Sequence, residues 1–302
     1  MNGASSETPR VSSLAAWWLA ARPRTLPVSI APVLVGSAVA IGEGRARVGP
    51  AIAAALGALL LQLGSNFAND LFDFEKGADN EDRIGPPRAA QLGLLSPAAM
   101  RTGVAVVLSC AAVVGLYLFF VAGWPVIVVG VASLVAAVAY TGGPWPFGYK
   151  GLGDVAVFVF FGLIAVTGSH YVQALTISPA ALAASVPVGC LATAILVVNN
   201  VRDIDGDRAA GKLTLAVRFG RGAGRNEYAL LLGLAFGMLP YLWFRFGRSM
   251  FVLLPILLLP RAVALVRTMR TRVDGPSLNA ALAGTAQLLL GYSLLLAIGW
   301  LL

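Results

Sequence analysis

Leu59-Leu60-Leu61-Gln62-Leu63-Gly64-Ser65-Asn66-Phe67-Ala68-Asn69-Asp70-Leu71-Phe72-Asp73 decides the fold. An apolar run that begins near residue 51 passes into Asn and Asp with no Gly-Pro punctuation between. Asn66, Asp70 and Asp73 stand at i, i+4 and i+7, the spacing of one helical face. The reading is a membrane-spanning helix, about 51–69, that ends in a polar face rather than in a loop. A second stretch repeats the pattern: Asn199-Asn200-Val201-Arg202-Asp203-Ile204-Asp205-Gly206-Asp207 closes another long apolar run. Asn199, Asp203 and Asp207 are at i, i+4 and i+8, spread over about 80° of a helix.

The surrounding composition agrees. The chain has 302 residues, 58% of them hydrophobic and 12% charged, where a soluble domain carries about 25% charge. Outward from the two stretches, apolar segments fall at about 26–43, 51–69, 102–121, 124–141, 152–173, 180–200, 228–246, 249–267 and 279–301. The expected fold is therefore all-α, a polytopic membrane protein with a bundle of nine transmembrane helices. Residues 1–15, polar and Ser-rich, read as a disordered tail, and residues 16–302 as a single transmembrane domain. No signal peptide is evident.

Orientation comes from the cations. With nine spans, 18 of the 22 Lys and Arg residues fall on the N-terminal side and four, Arg45, Arg47, Arg245 and Arg248, on the other. The positive-inside rule puts the N-terminus and both acidic stretches in the cytoplasm, in a multi-pass protein of a bacterial cytoplasmic (inner) membrane. The same rule accounts for the net charge of +8 without nucleic acid, and membrane lipid is the expected surrounding. Cys110 and Cys190 sit in apolar runs with no CxxC, so they read as small packing residues. Gly151-Leu152-Gly153 lacks the strand context of a nucleotide fingerprint.

The chemistry concentrates in few residues. Nine of the 14 acidic residues lie in 70–82 and 203–207. Each face offers two carboxylates and an amide oxygen, the hard donors that Mg²⁺ takes while keeping room for water and phosphate. Carboxylates at a membrane boundary are costly, and like charges at i and i+4 repel. A divalent cation removes both penalties. Asn66, Asp70, Asp73, Asn199, Asp203 and Asp207 are the candidate metal ligands, with the four Asp residues as the catalytic set. Arg88, Arg202 and Lys212, with Lys76 and Arg83 nearby, suit phosphate oxygens. Together they point to a Mg²⁺-bound diphosphate as leaving group, with charge neutralisation as the main catalytic contribution. Asp79, Glu81 and Asp82 fall outside the helical register. His170 reads as a packed or interfacial side chain, Asp154 as a charge at a helix N-terminus. Phe119, Phe120, Phe158, Phe160, Phe161 and Tyr171 read as core or lipid contacts that could line an apolar tunnel.

These residues resemble the UbiA superfamily of intramembrane prenyltransferases, whose two Asp-rich motifs look like Asn66-x₃-Asp70-x₂-Asp73 and Asp203-x₃-Asp207. Arg22–Gly36, Asn66–Asp79, Arg83-Ile-Gly-Pro-Pro-Arg88, Gly148–Asp154 and Asn199–Arg218 carry the likeness. Gly77-x-Asp79 and Arg83–Arg88 are similar to the menaquinone-pathway branch, whose acceptor is 1,4-dihydroxy-2-naphthoate; His170 stands where a bulky aromatic is expected. The resemblance implies that both motifs hold Mg²⁺ on a polyprenyl diphosphate. The C–O bond then loosens to an allylic cation, the naphthoate ring attacks, and CO₂ leaves, giving a demethylmenaquinone. It also implies Tyr140 as a substrate contact. Two alternatives stay open: transfer to another acceptor such as 4-hydroxybenzoate, homogentisate or a phosphoribosyl donor, and a cation-coupled transporter. Acids at helix ends on one side, rather than at the midplane, disfavour transport.

Overall fold

A computed structural model of the chain describes residues 12–78, 84–246 and 249–302. Among them there is no strand, and the elements are helices throughout. Residues 1–11 of the expected tail, with Asp79, Glu81, Asp82, Arg83 and Arg248, lie outside the described residues. The tail's last three residues instead open helix α1, Ser13–Ala21, whose first turn is capped by the Ser12 hydroxyl accepting from the Ala15 N–H at 3.3 Å.

Among the described residues seven helices are long and apolar enough to cross a membrane, where nine were expected. The acidic stretch at 66–73 extends α3, Val48–Glu75, by more than a turn past the expected end. Then come α4, Pro97–Ala122, and, later, α8, Pro179–Arg202, and α12, Gly275–Leu301. Each of these three starts with a Ser or Asp N-cap followed by Pro, which sets the first turn and loses no needed N–H. A span over 153–174 is composite: α6, Gly153–Val157, a π-helical stretch over Phe158–Ile164, and α7, Ala165–Ala174. Helix α10, Leu215–Phe246, takes in much of the expected loop and breaks at Gly220 (φ 85°, ψ 167°). The last of the seven joins a 3₁₀ stretch, Met250–Leu258, to α11, Leu259–Thr271. The two other apolar segments are shorter helices, α2 (Pro27–Gly42) and α5 (Trp124–Ala139).

Helix α8 is the axis of the bundle: 78% of its most apolar window is buried, against 6% for α4. Its sequence, PAALAASVPVGCLATAILVVNNVR, is rich in small residues. Without a hydrophobic effect between helices in lipid, small side chains that let backbones approach supply the packing. On α8 this shows at Gly189, which meets Gly162: a Cβ on Gly162 would lie 2.5 Å from the Gly189 Cα. The core around α8 draws on α2, α10 and α12, while α3 packs on α4 and α5. Helices α3 and α8 both end on the side where α2 begins, because the Asn66 side chain donates to the Ala21 carbonyl at 2.9 Å just before α2. Glu43 and Ser178, which meet at the opposite ends of α2 and α8, mark the other side.

Candidate active site

On α3, Asn66, Asp70 and Asp73 are all buried, at 4%, 1% and 4% exposure, as one helical face requires. Their roles differ. Asn66 holds the turn before α2: its amide nitrogen reaches Ala21 O at 2.9 Å and Thr25 Oγ1 at 3.3 Å, and its oxygen accepts from Gln62 at 3.1 Å. Asp70 Oδ2 accepts from the Ala89 N–H at 3.2 Å, while its Oδ1 is buried with no hydrogen-bond partner. Asp73 accepts from Arg88 Nη1 and from the Tyr149 hydroxyl, both at 2.7 Å.

The second motif does not lie on one unbroken helix. Helix α8 ends at Arg202, Asp203 has φ −94° and ψ 11°, and a short helix α9 runs Ile204–Ala209. Register nonetheless carries through, since Asp203 N–H bonds to Asn199 O at 3.0 Å and Asp207 N–H to Asp203 O at 2.8 Å. Arg202 grips both Asp203 oxygens, at 2.7 and 2.6 Å, and also reaches the side-chain oxygens of Asn199 at 2.6 Å and Asn279 at 2.7 Å. Lys212 Nζ is 3.4 Å from Asp207 Oδ1, and Asp207 Oδ2 is buried without a hydrogen-bond partner. Burial pushes the Asp207 carboxyl up to about 6; Lys212 pulls it down, and the charges of Asp203 and Asp73 add to the rise. Asp205 is exposed and pairs with Arg208 and Arg221 outside this cluster.

Tyr149 joins the two motifs and was not singled out from the sequence. Its hydroxyl donates to Asp73 on the first motif. Its carbonyl accepts from Leu213 N–H at 2.9 Å, beside the second. Lys76 Nζ lies 4.5 Å from its ring centre and Lys212 Nζ 5.7 Å, cation–π distances from both sides of the cleft. Lys76 also bonds to the Thr141 carbonyl, and the Thr141 hydroxyl donates to Asn69 Oδ1 at 2.8 Å. The Gly-, Pro- and aromatic-rich connection over 140–150 thus forms a cover over both helix ends. Tyr140 lies in it, half-buried, edge-on to Phe147 at 5.4 Å and against Gly148 and Gly153. Aromatic expectations divide: Phe158 and Phe161 pack on the α8 core, Phe120 is 77% exposed, and Tyr171 donates to Ala122 O.

Three of the cations expected to bind diphosphate each sit on a carboxylate expected to bind metal: Arg88 on Asp73, Arg202 on Asp203 and Lys212 on Asp207. Among the described residues no three Asp, Glu, His or Cys side chains form a ready-made metal cage. The donor set still fits Mg²⁺, which keeps waters and shares its shell with phosphate oxygens. Asp70 and Asp207 each hold a buried carboxylate oxygen that lacks a donor, and such an atom costs free energy until a cation or donor reaches it.

His170 takes no part here. It is fully buried at the far end of the bundle, its Nε2 2.8 Å from Glu43 Oε2, with Ser178 donating to Glu43 Oε1 at 2.5 Å.

The profile of the UbiA prenyltransferase family matches residues 29–282. The chain is 42% identical over 229 residues to 1,4-dihydroxy-2-naphthoate octaprenyltransferase of Escherichia coli, covering 74% of each chain. It is 38% identical over 281 residues to the protein of that name from Mycobacterium leprae, covering 91% of this chain and 92% of the other. In fold it is similar to a UbiA homolog from Archaeoglobus fulgidus bound to DMAPP and Mg²⁺ (TM-score 0.60, 16% identity, 91% of this chain and 98% of that). It is also similar to a UbiA homolog from Aeropyrum pernix K1 (TM-score 0.64, 15% identity, 91% and 96%).

Proposed function

Because the chain belongs to the UbiA prenyltransferase family, we propose that it transfers a polyprenyl group from polyprenyl diphosphate to 1,4-dihydroxy-2-naphthoate in menaquinone biosynthesis. CO₂ and diphosphate leave, and the product is demethylmenaquinone at its reduced, quinol level. The relatives' names support the acceptor. One observation carries the chemistry: Tyr149 and Lys212 link the two motifs, and Asp70 and Asp207 each keep a buried carboxylate oxygen without a hydrogen-bond partner.

Asp70, Asp73, Asp203 and Asp207, with the amide oxygens of Asn66 and Asn199, are the residues that would hold Mg²⁺. When bound, the ion supplies charge neutralisation on the diphosphate as the allylic C–O bond loosens. The chain's own groups do the rest. Arg88, Arg202 and Lys212, released from their carboxylates, turn to the diphosphate oxygens as it departs. Tyr149 keeps the two motifs at a fixed separation, and the 140–150 cover keeps water from the allylic carbon. Asn66 orients the entry to α2.

We place the two shorter helices α2 and α5 across the membrane with the seven longer ones, which gives nine spans in one domain over 16–302. The cation asymmetry supports a cytoplasmic N-terminus and site in a bacterial inner membrane. Mg²⁺-dependent release of CO₂ from carboxyl-labelled 1,4-dihydroxy-2-naphthoate, with a prenyl diphosphate as co-substrate, tests the whole reading. Transfer to 4-hydroxybenzoate or homogentisate and not to the naphthoate would replace the acceptor. Solute counterflow in liposomes with no prenyl transfer would replace the class.

A further inference from the structure

Asp154 differs from every acid of the two motifs. Asp73, Asp203 and Asp207 each have a Lys or Arg partner within 4 Å, and Asp70 has a backbone N–H. Asp154 is 5% exposed, has no salt bridge, and its Oδ1 is buried with no hydrogen-bond partner. A carboxylate placed in this way costs several kcal/mol unless something reaches it. A helix N-terminal charge, the simpler role, would need no such burial.

Its position is built by neighbours. The turn before it is pinned to the second motif through Leu213 N–H on Tyr149 O and through Arg218 Nη2, which donates to Lys150 O at 2.8 Å. Gly153 admits the Tyr140 hydroxyl, since a Cβ there would lie 2.9 Å from it and 3.3 Å from Leu196. On α8, Thr193 approaches the Asp154 carbonyl at 3.5 Å. Thr193 and Leu196 precede Asp203 by ten and seven residues, so Asp154 sits about 10–15 Å deeper along α8 than the metal-binding end, at 1.5 Å per residue. The charged and titratable groups facing it are Lys212 from the segment after α9, Tyr140 from the cover, and Glu227, half-buried, from α10. Cations and carboxylate oxygens without a donor thus lie at the ends of α3 and α8, and one carboxylate with no cation partner lies deeper along α8. A diphosphate held at the helix ends leaves the deeper carboxylate for the acceptor.

We propose that Asp154 is a catalytic acid–base residue for the aromatic acceptor. This rests on the prenyl-transfer reading above. Its carboxylate accepts the proton of the hydroxyl ortho to the acceptor's carboxylate. The O–H electron pair becomes a C=O, the ring carbon bearing the carboxylate forms the C–C bond to the allylic carbon, and the C–O bond to diphosphate breaks. The intermediate is a β-keto carboxylate. Loss of CO₂ returns the electron pair through the ring to oxygen, and Asp154 gives the proton back to it. No proton is gained or lost overall, and no oxidant is needed. Burial away from water suits a group that must keep the proton it borrows.

The test compares Asp154→Asn, Asp154→Glu and Glu227→Gln with wild type, as full-length protein in nanodiscs with Mg²⁺, farnesyl diphosphate and 1,4-dihydroxy-2-naphthoate. Asp154→Asn is expected to slow single-turnover transfer at least 100-fold while binding of Mg²⁺–farnesyl diphosphate stays within two-fold. Asp154→Glu is expected to recover at least ten-fold over Asn, and Glu227→Gln to stay within three-fold of wild type. Bound naphthoate is expected to show a naphtholate absorption component in wild type and none in Asp154→Asn. Transfer by Asp154→Asn within three-fold of wild type overturns the proposal. So does a matching loss of farnesyl diphosphate binding, or an equal defect in Glu227→Gln. If wild type prenylates another phenol instead, the acceptor assigned above falls and the same comparison on that phenol decides Asp154. If it prenylates no phenol, both readings fall.

Discussion

The two ends of the bundle treat their carboxylates in opposite ways. At the far end, Glu43 is saturated: His170 and Ser178 each bond one of its oxygens, and Arg45 is tied to Thr176 by a 3.0 Å hydrogen bond. Two loops, after α2 and before α8, are joined there by a carboxylate with both oxygens satisfied. At the near end the carboxylates are more numerous, cations sit among them, and yet Asp70 and Asp207 each keep an open oxygen. A carboxylate whose two oxygens are both bonded is a fastener. One that remains open after pairing with all its neighbours is waiting for a ligand. Charge alone does not separate the two; the count of satisfied oxygens does.

The largest break in this contrast comes from the near end. Asp70→Asn or Asp203→Asn is expected to lower prenyl transfer more than 1,000-fold, about 4 kcal/mol of transition-state stabilisation, with thermal stability little changed. Transfer at wild-type rates in either variant removes that motif from the chemistry. Next is the pH dependence of the ligand-free protein. An acid raised from 3.8 to about 6 binds its proton more tightly in the folded state. It therefore lowers stability progressively between about pH 4 and 6, by up to about 3 kcal/mol above that window. Asp207→Asn is expected to remove this fall, seen as a melting-temperature gain over wild type at pH 7 that vanishes at pH 4. Equal gains at both values would mean the carboxyl is not raised.

Tyr149→Phe removes one hydrogen bond to a charged group, worth about 1.5–3 kcal/mol. Transfer is expected to fall ten- to 100-fold with apparent affinity for Mg²⁺ weakened, and an unaffected rate would show that the two motifs need no bridge. The smallest effect belongs to the far end. Glu43→Gln is expected to cost about 1 kcal/mol of stability and to leave transfer within two-fold. A large loss of transfer there would erase the distinction between fastener and site.

The helices were legible because they rest on apolar length, and the shared face in each motif because it rests on Asn and Asp at helical spacing. Tyr149 was not, since its role depends on a loop folding back so that one side chain meets residues 76 positions before it and 63 after. Asp154 does stand in the first turn of a helix, as its sequence position suggests, but its burial was not legible because sequence does not show what surrounds it. Helix α1 was missed because Ser-rich polarity near the N-terminus masked the run Leu14-Ala15-Ala16-Trp17-Trp18-Leu19-Ala20-Ala21. The nine-span count depended on treating α2 and α5 as full-length spans, and each is only 16 residues long.

The π-helical stretch at Phe158–Ile164 has a bearing on how this chain tolerates insertions and deletions. Each i→i+5 turn holds more residues than an α turn, so it behaves as an extra residue stored within the span. Removing one residue there would restore an α-helix with the two flanks in nearly their present relative orientation, because the wide turn already absorbs that residue. Asp154 lies on one side of the stretch and His170 on the other. A single deletion within it is expected to keep both on their present faces, whereas a deletion in α6 or α7 would rotate one against the other by about 100°. A deletion scan across 153–174 should therefore reveal a window of tolerance at 158–164 that a substitution scan would miss.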